Sequence, residues 1–189
     1  MRAARTKQGL KNAVYRALGE TVSGVRRANG TPSLRVLMYH KVNDLPGNPV
    51  TVPVGLFEEQ MSELRELGYP AVGLDAVLAH FLDGAPLPAG ATLITFDDGY
   101  EDVLRHALPV LERHGYPAVL FVPLGYVGET SPLPHEKRLA AKGLVNRTLD
   151  WDGLRELDAA GVRIECHGIS HRALAELPVD EATREIALG

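Results

Sequence analysis

Short apolar runs recur along the chain and predict four buried β-strands. Each run is five or six residues long, which suits a strand better than a buried helix, and each is bounded by polar, Gly or Pro residues. The runs are Leu34 to Tyr39, Thr92 to Phe96, Ala118 to Val122 and Val162 to Cys166. Strands that are apolar on both faces are typical of a parallel sheet covered by helices.

The segments between these runs carry apolar residues at helical spacing. Phe57, Met61 and Leu64 share one face of a helix predicted over Leu56 to Leu67. The other predicted helices are Leu74 to Leu82, Glu101 to His114 with a kink at Pro109, Asp150 to Ala160, Ala173 to Leu177 and Asp180 to Leu188. Strands that alternate with helices predict an α/β fold, and the long loop from Pro123 to about Leu149 is expected to be functional or partly ordered.

Composition indicates one globular domain and excludes few functions. The chain has 189 residues, of which 45% are hydrophobic and 23% charged. Its net charge of -4 gives no overall positive potential that would attract nucleic acid. Positive charge gathers in residues 1–33, which we interpret as a basic N-terminal arm before a domain of residues 34–189. The arm is either a solvated, frayed segment or an amphipathic segment that contacts an anionic membrane surface.

Targeting signals are not visible in the sequence. No run approaches the roughly 20 apolar residues that a membrane-spanning helix needs, and residues 1–30 lack the apolar core of a signal peptide. Taken literally, the sequence indicates a cytoplasmic protein. The single cysteine, Cys166, excludes a disulfide within the chain and leaves the compartment open.

Residues with reactive side chains directly follow three of the predicted strands, where α/β folds place their chemistry. His40 follows the first strand, Asp97 and Asp98 follow the second, and His167 follows the last. The two Asp side chains point opposite ways unless the chain bends, and Gly99 permits such a bend. Asp98 can then bind a metal while Asp97 acts as a base. The alternative is that this segment caps the next helix.

Two histidines four residues apart, His167 and His171, form the second candidate pair. They meet on one face if the segment is helical, and a tight loop can also bring them together. Neutral imidazoles bind zinc and similar ions, and with Asp98 they make a three-ligand site with open positions. The alternative is two unrelated loop histidines. Nothing in the sequence suggests a redox cofactor, so we interpret the combination as hydrolytic, with Asp97 as general base.

From Val36 onwards the chain resembles the polysaccharide deacetylases, also called the NodB homology or carbohydrate esterase 4 family. It looks closest to the bacterial branch that deacetylates extracellular N-acetylglucosamine polymers. The motifs that carry the resemblance are Met38-Tyr39-His40, Thr95-Phe96-Asp97-Asp98-Gly99-Tyr100, Ala107-Leu108-Pro109-Val110-Leu111, Leu149-Asp150-Trp151 and His167-Gly168-Ile169-Ser170-His171-Arg172.

The resemblance implies a distorted (β/α) barrel and metal-assisted hydrolysis of N-acetyl groups on an N-acetylglucosamine-containing polysaccharide. It implies that Asp97 is the catalytic base. It also implies that Asp98, His167 and His171 bind a divalent ion, which is expected to be zinc, with Co²⁺ or Ni²⁺ as alternatives. His40 and Tyr100 are expected to contact substrate, although a structural histidine and a packed tyrosine are the alternatives. Members of this family are often exported or associated with the cell envelope.

The sequence departs from the family pattern in two ways. Gly168 stands where the family usually has a Ser or Thr whose hydroxyl supports the loop. The later motifs, including a Leu-x-x-His segment with the general acid, are expected beyond Gly189, so the barrel is predicted to be incomplete at the C-terminus. The alternative function is therefore a catalytically incomplete metal- or glycan-binding remnant. The remaining histidines are predicted to be unpartnered surface residues: His80, His106, His114 and His135.

Overall fold

The computed structural model describes residues 34–45 and 50–189, so the predicted basic arm lies outside the described residues. The strands are β1 (Arg35–Tyr39), β2 (Lys41–Val42), β3 (Thr51–Val52), β4 (Thr92–Asp97), β5 (Ala118–Val122) and β6 (Val162–Cys166). The α-helices are α1 (Val54–Glu66), α2 (Leu74–Asp83), α3 (Leu108–His114), α4 (Lys137–Ala140), α5 (Trp151–Ala159) and α6 (Val179–Ala187). Short 3-10 turns lie at Leu124–Tyr126, Pro134–Glu136 and Leu174–Glu176. No helix in these ranges is long and apolar enough to cross a bilayer.

The four predicted strands form one parallel sheet in the order β1-β4-β5-β6. Their bounds agree with the apolar runs to within one residue. The central strands β4 and β5 are covered by packed side chains on both faces, whereas β1 leaves Val36 and Met38 exposed. The described strands form an open sheet, so the barrel that the resemblance implies is not confirmed. Sequence patterning missed β2 and β3, which pair in parallel over two residues each and are too short to show a period.

The main core fills the space between one face of the sheet and helices α1, α3 and α5. As predicted, α1 buries Phe57, Met61 and Leu64. The ring of Phe57 lies 5.1 Å from that of Tyr39 and 5.8 Å from that of Phe96, between the centroids. A smaller cluster covers the opposite face of the sheet around the start of α2, with the members Val72, Val77, Ala91, Leu93 and Val119. Both faces of the central strands are therefore covered.

Pro109 distorts the helix that follows β4, as predicted from the sequence. Proline has no N–H and its ring crowds the carbonyl four residues earlier, so the regular α-helical ladder cannot pass through it. The chain is π-helical over Val103–Ala107 and becomes α-helical at Leu108–His114, with the N–H of Leu108 bonded to the carbonyl of Val103. The single helix predicted over this segment is thus two joined pieces.

The connection between β5 and α5 is folded against the sheet edge. The carboxylate of Glu136 pairs with the ammonium of Lys41 at 2.5 Å and accepts a hydrogen bond from Asn146. Lys41 is fully buried and Glu136 is 2% exposed. Asp150 then caps α5 by accepting a hydrogen bond from the N–H of Gly153 at 2.8 Å, as predicted. These contacts hold the 3-10 turn Pro134–Glu136 beside the carboxyl ends of β1 and β4.

Candidate metal centre

The chain bends sharply directly after β4, and the bend turns Asp98 into the protein. Both Asp98 (φ 74°) and Gly99 (φ 66°) have left-handed backbones. A side chain at residue 99 would begin 3.1 Å from Val122, so glycine suits both the conformation and the space there. The bend predicted at Gly99 is present and already begins at Asp98, whose carboxylate is 1% exposed.

Asp98, His167 and His171 come together beyond the carboxyl ends of β4 and β6. One ligand atom from each residue lies within 4.8 Å of the other two. The Nε2 atom of His171 is 2.8 Å from Oδ1 of Asp98, and that of His167 is 3.8 Å from the same oxygen. The structure thus brings together the three residues that the sequence analysis proposed as ligands.

The Asp98 carboxylate has the environment of a cation ligand. Both of its oxygens are buried, and within the described residues neither accepts a hydrogen bond. The Nε2 atom of His171 approaches Oδ1 to 2.8 Å, closer than His135 or His167 approaches this carboxylate. Leaving a buried carboxylate without hydrogen bonds is costly, and a bound cation removes that cost. One carboxylate oxygen and two imidazole nitrogens form a donor set that suits zinc and related divalent ions, so the residues fit a metal.

A loop, not a helix, brings the two histidines together. His171 has a left-handed backbone (φ 53°), as does Gly168 (φ 72°). The carbonyl groups of Gly168 and Ile169 accept hydrogen bonds from the N–H groups of Leu124 and Gly125, each at 2.9 Å. Of the two arrangements that the sequence left open, the structure therefore has the tight loop.

The two adjacent aspartates have pKa values shifted in opposite directions. Burial raises the pKa of Asp97, against the opposing effect of His167 and His40. Burial acts in the same direction on Asp98, but the neighbouring imidazoles of His171, His135 and His40 outweigh it and the pKa of Asp98 is lowered. Environments that separate the pKa values of two neighbouring carboxylates are typical of sites that give them different roles.

His135 lies at this centre. It is exposed, as predicted, with 39% of its side chain accessible, but the prediction that it has no partner was wrong. Its Nε2 atom is 2.9 Å from the hydroxyl of Tyr100 and 3.5 Å from Oδ2 of Asp98. The turn that carries it is held by the buried Lys41–Glu136 pair. No sequence signal could have found this, because the contact depends on residues far apart in the chain and on a loop without periodicity.

Tyr100 and His40, the two predicted substrate contacts, flank the aspartates differently. Tyr100 is 1% exposed, and its ring lies 4.7 Å from the ammonium of Lys41. Burial raises the pKa of Tyr100, and the Asp98 carboxylate adds to this, so the hydroxyl keeps its proton. His40 is half-buried and follows β1, and its charge acts on both Asp97 and Asp98. Tyr100 therefore presents little surface to a sugar, and the substrate roles stay predictions.

A cavity of about 500 Å³ opens beside His167 and His171. Cavities of this size are within the range of small-molecule sites in proteins. Its wall is formed by the segment 167–174, the turn that carries His135 and helix α6. The lining residues are Pro134, His135, His167, Gly168, His171, Arg172, Ala173, Leu174 and Glu185. The candidate metal centre is therefore accessible from one side.

Comparison with known sequences gives the same assignment as the motifs. The profile of the family described as polysaccharide deacetylase matches residues 84–188. The chain is 32% identical over 155 residues to YxkH of Bacillus subtilis, which is named as a polysaccharide deacetylase, covering 82% of this chain and 49% of that protein. It is 31% identical over 126 residues to the poly-β-1,6-N-acetyl-D-glucosamine N-deacetylase of Escherichia coli K12, covering 64% of this chain and 18% of that protein. The chain thus spans half or less of the length of these curated relatives.

Solved structures of deacetylases share the fold. IcaB from Ammonifex degensii superimposes with a TM-score of 0.68 and 27% identity, over 84% of this chain and 67% of that chain. The Streptococcus pyogenes deacetylase PplD, solved in complex with acetate, gives a TM-score of 0.66 at 23% identity, over 82% of this chain and 65% of that chain. The second likeness shows the fold alone.

Proposed function

Because the chain belongs to the polysaccharide deacetylase family, we propose that it is a metal-dependent hydrolase that removes N-acetyl groups from an N-acetylglucosamine-containing polysaccharide. The observation that carries the proposal is the buried Asp98 carboxylate, which accepts no hydrogen bond from residues 34–45 or 50–189 and lies next to two imidazole nitrogens. The substrate class rests on the name of the Escherichia coli relative.

Asp98, His167 and His171 are the residues that hold the divalent ion in this proposal. Zinc is the first expectation for this donor set, and Co²⁺ or Ni²⁺ would suit it too. When bound, the ion supplies a Lewis acid that polarises a carbonyl oxygen and lowers the pKa of water. The cavity beside the histidines gives the N-acetyl group a route to this point.

Asp97 is the general base in this proposal. It is adjacent to Asp98 in the chain, remains partly exposed, and has a pKa raised by burial. A carboxylate of raised pKa takes a proton from an attacking water more readily than an ordinary aspartate does. The pKa of Asp98 is shifted in the opposite direction, and Asp98 cannot act as the base while it binds the ion.

Two imidazoles are placed to give a proton to the departing amine. Amide hydrolysis releases an amine that leaves more easily when it is protonated. Two imidazoles lie at the end of the sheet that carries the aspartates: His40 directly follows β1, and the Nε2 atom of His135 is 3.5 Å from Oδ2 of Asp98. We propose His40 as the donor, because it directly follows β1 at the same end of the sheet as the aspartates and is partly exposed, while the Nε2 atom of His135 is 2.9 Å from the hydroxyl of Tyr100.

The test of this function combines metal content with turnover. The purified chain should hold one divalent ion by elemental analysis and should release acetate from N-acetylglucosamine oligomers. Stoichiometric metal without acetate release would favour the alternative of a metal- or glycan-binding domain. A chain with neither property would not have the proposed function.

We also propose that the basic arm of residues 1–33 contacts an anionic membrane surface, which rests on its sequence alone. Cosedimentation with vesicles tests this point. Binding to vesicles that contain anionic lipid, lost with neutral lipid or on deletion of the arm, is the expected result. Equal recovery with both kinds of vesicle would contradict it.

A further inference from the structure

The loop between the two proposed ligand histidines is held from outside by Glu185 on α6. Oε2 of Glu185 accepts hydrogen bonds from the N–H groups of Ile169 at 2.7 Å and of Ser170 at 2.9 Å. Oε1 accepts a third from the hydroxyl of Ser170 at 2.5 Å. One carboxylate thus binds the two residues that directly precede His171.

The backbone of His171 needs such support. Among the described residues, Asp98 and His171 are the non-glycine residues with positive φ. A left-handed backbone is unfavourable for residues with a Cβ and persists where surrounding contacts determine it. The carboxylate of Glu185 fixes the peptide groups that lead into His171 and so limits the directions that its imidazole can take.

Gly168 makes room for this carboxylate. A Cβ at residue 168 would lie 3.1 Å from Oε2 of Glu185, and its φ of 72° also favours glycine. A serine or threonine hydroxyl is the support that the family pattern leads one to expect at this position. Here the space beside Gly168 is occupied by Glu185, which donates nothing but accepts three hydrogen bonds from the same loop.

The other side of the loop is fixed by backbone bonds that do not involve Glu185. The N–H groups of Leu124 and Gly125 bind the carbonyls of Gly168 and Ile169. These bonds determine the first half of the loop, next to His167. The half next to His171 depends on Glu185, so removal of this carboxylate should disturb one ligand more than the other.

We propose that Glu185 is a positioning residue that holds His171 in the orientation required to bind the metal ion. This inference rests on the proposed metal centre. Glu185 acts through the loop and does not itself contact the ion. Loss of residues that orient a ligand typically lowers metal affinity roughly 10–100-fold, and we expect an effect of this size for Glu185→Gln.

The experiment compares Glu185→Gln with Asp180→Asn in the full chain. Both changes remove one negative charge from α6, but Asp180 is an exposed residue of its first turn. We would measure the zinc dissociation constant by competition with a chromophoric chelator, the visible absorption of the Co²⁺-loaded protein, and the thermal midpoint of the metal-free protein. The expected result is weaker zinc binding and an altered Co²⁺ spectrum in Glu185→Gln alone, with similar metal-free midpoints.

Equal zinc affinities in the two variants would overturn the role of Glu185. So would a loss of affinity in Glu185→Gln that is matched by a large fall in its metal-free midpoint. Ser170→Ala gives a second measurement, because it removes one of the three bonds and should weaken zinc binding less than Glu185→Gln. In the double variant the two effects should not add, since they act on the same carboxylate. If the unaltered chain binds no metal, the proposed function itself fails.

Discussion

The Nε2 atom of His171 lies 2.8 Å from Oδ1 of Asp98, yet this carboxylate accepts no hydrogen bond within the part of the chain that the structure describes. Two groups that approach this closely with poor hydrogen-bond geometry have the arrangement expected of two ligands that face a common point. A divalent ion at that point would satisfy both, which makes the metal content of the protein the first quantity to measure.

Removal of either ligand imidazole should abolish stoichiometric metal binding. We expect His167→Ala and His171→Ala to lose the ion, because two protein ligands hold it much more weakly than three. Elemental analysis after gel filtration measures the effect. His135→Ala is the matched control, since His135 lies 3.5 Å from Asp98 but outside the set of three ligands. Full metal content in both ligand variants would show that the ligands are assigned wrongly.

The two aspartates should separate metal binding from turnover. Asp97→Asn is expected to keep the metal and to lose deacetylation by about 10²–10⁴-fold, because it removes a general base. Asp98→Asn should lose the metal as well as the activity. Acetate release and metal content on the same samples test both statements. The reverse pattern would mean that the roles of Asp97 and Asp98 are exchanged.

The proton donor can be identified by comparing two histidines in the same assay. We expect His40→Gln to lower kcat by about 10²–10⁴-fold with the metal retained, as for the loss of a general acid. His135→Gln should change kcat less, because its imidazole is bound to Tyr100. A larger loss of kcat in His135→Gln than in His40→Gln would assign the donor to His135.

Asp102 should make the fold less stable at neutral pH than in mild acid. Its carboxyl is 9% exposed, and burial raises its pKa to about 6, while hydrogen bonds from Asn43 and from the N–H of Val42 oppose the shift. The folded pKa is above the unfolded one, so the stabilising effect is present below the unfolded pKa and is lost as the pH rises through the folded pKa. The window is from about pH 4 to about pH 6.

Asp102→Asn tests this window because it keeps the shape and removes the charge. We expect the variant to be more stable than the unaltered protein by about 1–3 kcal/mol near pH 7, and to lose this advantage near pH 4. Urea unfolding of both proteins at the two pH values gives the difference. An advantage that does not change with pH would show that the charge of Asp102 is not its origin.

Single substitutions in the buried Lys41–Glu136 pair should strongly destabilise the fold. Lys41→Met or Glu136→Gln leaves one partner in the interior without its counter-charge, which typically costs about 3–5 kcal/mol. The double variant Lys41→Met/Glu136→Leu should recover part of this loss, because no isolated charge remains buried. Free energies of unfolding of the three variants check the order. A double variant as unstable as the sum of the singles would contradict it.

Sequence patterning predicted the sheet better than the surroundings of the site. Strands such as Ala118–Val122 were placed correctly because burial on both faces leaves a continuous apolar run. Asp98 and His171, which the structure brings together, could be proposed as ligands from the sequence because each belongs to a local motif next to a strand end. His135 and Glu185 were missed, since their roles depend on contacts between segments that have no common period or motif.

The left-handed backbones at Asp98 and His171 limit how the proposed metal site can be redesigned. Asp, Asn and His tolerate positive φ better than most residues with a side chain. The two residues proposed as ligands at these positions are therefore of types that a left-handed backbone tolerates. Exchange of Asp98 for glutamate, or of His171 for cysteine, would change the loop as well as the donor atom. His167 has no positive φ, so engineering towards a softer ion should begin there.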